Sequence, residues 1–198
     1  MRLCLAALAL LLGASGVPAA APQRSAAEVM DVLMWNREPV GGPFALVDQN
    51  GKRRTDADFR GKLMLVYFGY TYCPDICPTD LQQIGLAVEQ LGPAGGEVQP
   101  IFVTLDPERD TPKHLAAYVP HFHPRFIGLT GTQSAIRRAA SAYKVYYKKV
   151  AGRSGYSVDH TAFIYLMNGN GQYLGFFPPG TSAERMLEII RPQLGMPH

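Results

Sequence analysis

Charged residues and cysteines are scarce in this sequence, and long hydrophobic runs are absent. Charged residues make up 18% of the 198 positions, and the formal net charge is only +3. That charge is too small and too dispersed to indicate nucleic-acid binding, and no run of basic residues is interleaved with aromatic ones. Hydrophobic residues account for 47% of the chain, which excludes a disordered chain and is sufficient for one domain with a buried core.

The hydrophobic run at the N-terminus is too short to cross a bilayer. Residues 3–12 are apolar, follow one basic residue and precede a Pro-Ala-Ala-Ala stretch, which is the order found in export signals. About ten apolar residues fall short of the ~20 that a membrane span needs. We therefore predict a signal peptide over residues 1–21, with an uncleaved membrane anchor as the alternative. An N-terminal arm over 22–39 and one domain over 40–198 follow, located in the periplasm or facing it at the inner membrane.

Only three cysteines occur. Cys4 lies inside the predicted signal, so the mature protein holds Cys73 and Cys77 alone, in an oxidising compartment where a disulfide can form. Three residues separate the two, one more than in a thioredoxin-type pair. The spacing suits either a disulfide or two thiolates that bind one soft metal ion. A disulfide here closes a very short loop and removes little unfolded-state entropy, so we predict a functional pair.

Secondary-structure signals place the cysteine pair at a junction between a strand and a helix. The apolar run 63–69 predicts a buried strand, and apolar residues at helical spacing from Leu81 onward predict an amphipathic helix capped by Thr79. The start of a helix lowers the pKa of a thiol, whereas Asp75 is expected to oppose a second nearby anion. A cation held by both sulfurs offsets that repulsion, and soft thiolates select Cu(I) over hard cations.

Five histidines are available as a third metal ligand. His160 follows Asp159 and precedes a strong strand signal at 162–167, so it is either an ordinary polar residue at a strand start or a ligand that faces the cysteines. His121 and His123 are expected to be solvated loop residues rather than a metal pair. The other two, expected to be exposed, are His114 and His198.

The remaining pattern alternates strand and helix signals. A capped N-terminal helix is predicted over 25–35, as a docked arm, and a hairpin over 44–55 with Asn50-Gly51 in its turn. Further strands, helices and hairpins are predicted at 98–105, 111–119, 127–129, 132–143, 144–158, 162–177 and 182–194. This order predicts an α/β sandwich with helices on both faces of the sheet.

One polar stretch, DPERDTP at residues 106–112, directly follows a predicted strand. Loops in this position gather near the functional end of open α/β sheets. We expect Asp106, Arg109 and Asp110 to form an ion-pair cluster, with Asp110 capping the helix at Thr111. Several tyrosines are expected to pack in the core or the hairpins, namely Tyr67, Tyr70, Tyr72, Tyr146, Tyr147 and Tyr156.

The motif TYCPDICP at residues 71–78 resembles the metal loop of the Sco/SenC family of thioredoxin-like copper proteins. Three further stretches agree: GGPF at 41–44, the DPERDTP stretch, and VDHT at 158–161 followed by Tyr165-Leu166. The resemblance implies a thioredoxin-like fold in its peroxiredoxin-like variant. That fold has a central mixed sheet, helices on both faces and an N-terminal hairpin.

The resemblance also implies a site and a function. It implies that Cys73, Cys77 and His160 bind copper, chiefly Cu(I) and in some members Cu(II), with Asp159 as a neighbour of the histidine. It implies a metallochaperone that matures the CuA centre of cytochrome c oxidase. The implied partners are oxidase subunit II, a copper donor protein and a thiol reductant, near a membrane.

Other functions remain open from the residues. The same Cys73/Cys77 pair, a disulfide when oxidised, could make the protein a thiol–disulfide oxidoreductase that reduces the cysteines of a copper-site target. A peroxidase is disfavoured because Asp75 stands beside Cys73, and a purely structural module leaves the paired cysteines unexplained.

Overall fold

The computed structural model describes residues 26–152 and 155–196. The predicted signal with Cys4, residues 153–154 of one hairpin, and His198 lie outside the described residues. Within these ranges, none of the helices has the length and hydrophobicity to span a membrane.

Helices and strands alternate over most of the described chain. The helices are α1 (Ala26–Trp35), α2 (Ile76–Gln90), α3 (Pro112–Tyr118), α4 (Gln133–Ala142) and α5 (Ala183–Gln193). The strands are β1 (Ala45–Asp48), β2 (Arg53–Thr55), β3 (Leu63–Gly69), β4 (Val98–Thr104), β5 (Ile127–Thr130), β6 (Tyr147–Gly152), β7 (Gly155–His160), β8 (Ile164–Met167) and β9 (Tyr173–Phe177).

Seven strands form one mixed sheet, in the order β2-β1-β5-β4-β3-β8-β9. The central strands β3, β4 and β5 are parallel, and the outer pairings are antiparallel. Strands β6 and β7 form a separate two-stranded hairpin. This architecture confirms the predicted thioredoxin-like α/β fold with its N-terminal hairpin, β1–β2.

The two central strands carry the core of the molecule. Every residue of β3 and of β4 is buried. Successive residues of a strand point to opposite faces of the sheet, so both faces must be covered, as a parallel sheet requires. The apolar run 63–69 predicted β3 for the same reason, and β4 was predicted over 98–105 although it contains the buried Gln99 and Thr104.

The pairing of β8 with β3 brings the two halves of the candidate site together. Tyr67, near the end of β3, lies opposite Ile164 at the start of β8. The cysteines follow β3, and His160 ends the hairpin that leads into β8. The strand that follows His160 therefore lies beside the strand that precedes the cysteines.

Helix α2 begins earlier than the sequence suggested. Its first residue is Ile76, so Cys77 lies in the first turn, and Thr79 does not cap the helix. The Thr79 hydroxyl instead donates to the Asp75 carbonyl at 3.0 Å. A cap at Thr79 would place Pro78 before the helix, whereas Pro78 lies in the first turn of α2. Proline fits there because the N–H groups of a first turn have no intrahelical partner.

The cap of α3 also differs from expectation. Thr111, not Asp110, is the N-cap: its hydroxyl accepts a hydrogen bond from the His114 N–H at 3.3 Å. The Asp110 side chain turns inward to other partners, described below.

Helix α1 is docked, as predicted for the N-terminal arm. Val29, Val32 and Leu33 are buried in the common core. The Tyr173 hydroxyl donates to the Leu33 carbonyl at 3.1 Å and ties the helix to β9. The helix thus covers part of the sheet edge.

Candidate metal centre

The fold brings Cys73, Cys77 and His160 to one place. Cys73 lies in the loop after β3, Cys77 in the first turn of α2, and His160 at the end of β7. Cys77 Sγ is 3.5 Å from His160 Nε2, although 83 residues separate them. Both cysteines are free thiols, so the arrangement is that of the reduced protein.

The three side chains do not form a closed cage. Cys77 is fully buried, whereas Cys73 and His160 are partly exposed. Among the residues that the structure describes, no group of three His, Cys, Asp or Glu side chains is already gathered around a metal position. A bound ion would therefore have to draw the thiol of Cys73 and the pair Cys77–His160 closer together.

The two thiols have very different proton affinities. A hydrogen bond from the Cys77 thiol lowers the pKa of Cys73 to about 5, helped by the backbone N–H groups of Asp75 and Cys77. The same hydrogen bond, together with burial, raises the pKa of Cys77. At neutral pH the accessible sulfur of Cys73 is a thiolate, and the buried sulfur of Cys77 is its hydrogen-bond donor.

This asymmetry corrects one expectation. Asp75 was expected to oppose an anion at the cysteines, yet the pKa of Cys73 falls and Asp75 contributes to the fall through its backbone N–H. The N–H groups at the start of α2 point toward the Cys73 sulfur because a first helical turn leaves them unpaired. The hydrogen bond from Cys77 and these backbone N–H groups together therefore lower the pKa of Cys73 despite the neighbouring acid.

His160 is held as a neutral imidazole with Nε2 facing the thiols. Burial lowers its pKa. Its Nδ1 lies 3.1 Å from the Val158 carbonyl, which can only accept, so Nδ1 carries the proton. The lone pair of Nε2 then faces the Cys77 sulfur, which is the form in which imidazole binds a metal.

Asp159 is only an electrostatic neighbour of this histidine. Its carboxylate raises the pKa of His160 less than burial lowers it, and its side chain is exposed. Adjacent residues of a strand face opposite sides, so the hydrogen-bond partner of the ring is the Val158 carbonyl instead. A backbone partner of this kind leaves no signal in the sequence.

Two residues at the end of β3 shape the site and were missed. Any Cβ on Gly69 would lie 2.8 Å from Cys77 Sγ, so only glycine leaves room for the thiol. The buried Tyr70 ring stands edge-on to His160, at 5.9 Å between centroids and 82° between planes. Their position immediately before the cysteine loop was the available signal.

Behind the thiols lies a buried carboxyl that the sequence reading also missed. Asp80 is fully buried in α2, and burial raises its pKa. One of its oxygens accepts from the Gly180 N–H at 2.8 Å, while the other has no hydrogen-bond partner within the described residues.

The other predicted polar residues lie around the site or away from it. Arg109 pairs with Asp106 as predicted. Asp110, in contrast, accepts hydrogen bonds from Thr71 and Thr104 and stays outside that ion pair. His123 accepts a hydrogen bond from the Arg125 N–H at 3.2 Å, a local loop contact as expected. The prediction that Tyr72 packs in the core or a hairpin is wrong, because Tyr72 is 54% exposed and stacks on His114. The same prediction is wrong for Tyr146, which is exposed.

Comparisons with known proteins point to one family. The family model described as SCO1/SenC matches residues 34–195. An SCO2-like protein from Rickettsia conorii is 44% identical over 155 residues, which are 77% of this chain and 76% of the relative. The human protein named SCO2 homolog, mitochondrial, is 44% identical over 156 residues, which are 76% of this chain and 58% of that protein.

Solved structures agree. Arabidopsis thaliana ScoI with copper bound has a TM-score of 0.75 and 37% identity, and the match covers 79% of this chain and 98% of that one. Yeast Sco1 with copper bound has a TM-score of 0.73 and 36% identity, over 81% of this chain and 91% of that one.

Proposed function

The chain belongs to the SCO1/SenC family, and on that premise we propose that it is a copper metallochaperone that binds copper through Cys73, Cys77 and His160. The observation that carries the proposal is the 3.5 Å approach of Cys77 Sγ and His160 Nε2, beside the accessible thiol of Cys73, whose pKa Cys77 lowers. Related structures that contain copper support it.

The donor set fits copper by its chemistry. Two thiols and one neutral imidazole are soft to intermediate ligands, which suit Cu(I), and imidazole also suits Cu(II). Structural zinc normally takes four protein ligands, and three are available here. Copper is cargo in this proposal, so the exposed side of the site at Cys73 is where it would enter and leave.

Binding follows from the protonation states. The Cys73 thiolate meets Cu(I) first because it is both charged and accessible. Cys77 then gives up its proton to solvent as its sulfur binds the ion, and His160 adds Nε2 without a change in protonation. A disulfide offers no thiolate, so the pair must be reduced before copper can bind.

Delivery follows from the open coordination. With three protein ligands, thiolates of an acceptor can attack the ion from the exposed side and exchange ligands one at a time. One solved protein, BsSco, is described as a member of the Sco family of cytochrome c oxidase assembly proteins. We propose the CuA domain of oxidase subunit II as the acceptor. A copper donor and a thiol reductant complete the cycle.

We also propose that the protein is exported and acts near a membrane on the periplasmic side. The order of charged, apolar and small residues over 1–21 supports export. Residues 22–39 and 40–198 are proposed as arm and copper-binding domain.

The first prediction tests the ligand set. The reduced protein should bind one copper with two sulfur ligands and one nitrogen ligand in X-ray absorption. His160→Ala should remove the nitrogen and weaken copper affinity at least about tenfold, since even groups outside the ligand set change metal affinity about 10–100-fold. His123→Ala, a loop histidine, is the matched control. Unchanged affinity in His160→Ala would remove this residue from the site.

A thiol–disulfide oxidoreductase is the second candidate, and the pKa values favour it. A half-exposed Cys73 with a pKa of about 5 beside a protonated, buried Cys77 is an attacking thiolate with a resolving thiol. Cys73 would attack a target disulfide, releasing one target thiolate and forming a mixed disulfide. Deprotonated Cys77 would then attack Cys73, releasing the second thiolate, so that two electrons pass to the target.

The two functions differ in their need for His160. Metal-free protein that reduces the target at the same rate with and without His160, and transfers no copper in either form, would favour the oxidoreductase. Copper transfer by the unaltered protein that is lost in His160→Ala would favour the chaperone.

A further inference from the structure

One loop touches both halves of the candidate metal centre. Residues 106–110, here called the bracket loop, connect β4 to α3. On one side the loop contacts the cysteine loop, and on the other it contacts the β6–β7 hairpin, which carries His160.

On the cysteine side, the contact is the fully buried carboxylate of Asp110. It accepts hydrogen bonds from the Thr71 N–H at 3.0 Å and the Thr71 hydroxyl at 2.6 Å. It also accepts from the Thr104 hydroxyl at 2.6 Å. Thr71 stands two residues before Cys73, so Asp110 fixes where the cysteine loop begins.

On the histidine side, the contact is the guanidinium of Arg109. It lies 3.9 Å from the centroid of the Tyr156 ring, and its Nη1 donates to the Tyr156 carbonyl at 3.1 Å. The Tyr156 hydroxyl donates to Asp106 at 2.8 Å, and Asp106 in turn pairs with Arg109. Tyr156 lies four residues before His160 in β7, on the same face of the strand.

A second ion pair joins the hairpin to the bracket loop. Lys149 of β6 is 2.7 Å from the Glu108 carboxylate. Its ammonium also lies 4.4 Å from the centroid of the Tyr156 ring. Both strands of the hairpin are therefore tied to the same five residues.

Arg109 also reaches the cysteine loop. Its guanidinium carbon is 4.6 Å from the centroid of the Tyr72 ring, and Tyr72 directly precedes Cys73. The planar cation thus contacts one ring from each half of the centre, in the geometry that gives cation–π attraction.

The hairpin depends on side-chain contacts because, in the described part of the chain, its two strands form no ladder with the seven-stranded sheet. An isolated two-stranded hairpin is marginally stable in water. Val158 packs into the core, and the Tyr147 hydroxyl accepts a hydrogen bond from Gln133 of α4 at 3.1 Å. The bracket loop adds the contacts to Tyr156 and Lys149, which orient the hairpin relative to the cysteine loop.

We propose that Arg109 is a positioning residue that sets where His160 stands relative to Cys73 and Cys77. The inference rests on the proposed function, in which these three bind copper. Loss of the Arg109 contacts should let the hairpin rotate, so that the dithiol still binds Cu(I) but His160 no longer completes the site.

The test compares Arg109→Lys with Arg54→Lys. Both arginines pair with a buried aspartate: side-chain exposures are 25% and 0% for Arg109–Asp106, and 23% and 2% for Arg54–Asp48. Each change keeps the charge and removes the planar fork. Arg54 lies in the N-terminal hairpin, away from the centre, so its variant controls for loss of a similar ion pair.

In the copper-loaded reduced protein, Arg109→Lys should lose the nitrogen ligand in X-ray absorption and keep both sulfurs. Copper affinity should fall about tenfold, at the low end of the range for groups outside the ligand set. Arg54→Lys should bind as the unaltered protein does. Retention of the nitrogen and of full affinity in Arg109→Lys would overturn the proposal.

A metal-free readout separates this inference from the proposed function. The His160 ring stands edge-on to the Tyr70 ring at 5.9 Å between centroids, so the ring current of Tyr70 should shift the His160 ring protons in proton NMR of the reduced apoprotein. Arg109→Lys should move these resonances toward random-coil positions, and Arg54→Lys should not. Unmoved resonances would reject a positioning role whether or not copper binds, whereas an unaltered protein without copper affinity would reject the proposed function alone. Tyr156→Phe, which keeps the ring, should give an intermediate shift.

Discussion

The protonation states of Cys73 and Cys77 are coupled. The buried thiol of Cys77 gives its hydrogen bond to the accessible thiolate of Cys73, so one pKa falls as the other rises. Position alone does not create this difference, because both residues lie near the start of α2. Burial decides which sulfur keeps the proton.

The second prediction concerns that hydrogen bond. In Cys77→Ala the pKa of Cys73 should rise from about 5 toward about 8.5, the ordinary value, since its largest cause is removed. Ultraviolet absorbance of the thiolate, followed against pH in the metal-free reduced protein, measures it. Cys73→Ala should abolish the titration near the lower value. An unchanged titration midpoint of Cys73 in Cys77→Ala would show that the helix start alone sets the pKa of Cys73.

The third prediction concerns Asp80. Burial raises its pKa above 3.8, so the folded protein binds this proton more tightly than the unfolded chain does. The protonated Asp80 carboxyl therefore stabilises the fold fully below pH 3.8, and this stabilisation is lost as the pH rises through the pKa of Asp80 in the folded protein. Asp80→Asn keeps the oxygen that accepts from Gly180 and removes the buried charge. The free energy of unfolding should rise by about 1–2 kcal/mol at pH 7 and hardly change near about pH 3.

Urea denaturation at the two pH values checks this, with Asp48→Asn as a control of opposite sign. Burial opposes ionisation of Asp48 too, but hydrogen bonds from Arg54 and two backbone N–H groups lower its pKa overall. Asp48→Asn should therefore destabilise the protein at pH 7. Equal effects of the two substitutions would contradict the role assigned to burial.

Among the elements, β3 determines how closely the thiols can approach the sheet. The strand was predicted over its full length because seven apolar residues stand between turn signals. What the pattern did not reveal is that Gly69 must be small for Cys77 to fit behind it. Cys77 lies eight residues after Gly69, and the contact between them depends on how the intervening loop folds.

The fourth prediction tests that contact. Gly69→Ala places a methyl group 2.8 Å from Cys77 Sγ and 3.0 Å from the Tyr67 ring, so the thiol must move. Copper affinity should fall, and the protein should lose about 1–3 kcal/mol of stability, the usual cost of overpacking. Gly175→Ala in β9 has open space around the new methyl and is the matched control. Equal copper affinity in the two variants would exclude a role for the close approach.

Boundaries of helices were harder to predict than their existence. Helix α2 was expected to start after Pro78, and α3 was expected to be capped by Asp110. Thr79 lies inside α2 and donates to the Asp75 carbonyl, a local contact that replaces the expected cap. Asp110 does not cap α3 because tertiary partners outweigh its local preference. Asp110 is drawn inward by Thr71 and Thr104, which no local pattern reveals.

For the molecule as a whole, the order of strands and helices was sufficient to predict an α/β sandwich, whereas the thioredoxin-like fold and the role of His160 came from the resemblance to the Sco/SenC family. The contacts that arrange the site were not predictable in the same way. Thr71 meets Asp110 across 39 residues, and Arg109 meets Tyr156 across 47. Such pairs follow from strand order and hairpin orientation together, and both are properties of the folded chain.

Under the proposed function, the 83 residues between Cys77 and His160 make copper loading a late event. In the proposed export, a chain that has crossed a membrane only as far as α4 already exposes both thiols but still lacks His160. Three-ligand binding must therefore wait until β8 has joined β3, and the metal then becomes a cross-link between distant parts of the polypeptide. Copper held in this way would resist unfolding of the very sheet that created its site, so a cell could use retention of the ion as a checkpoint for completed folding.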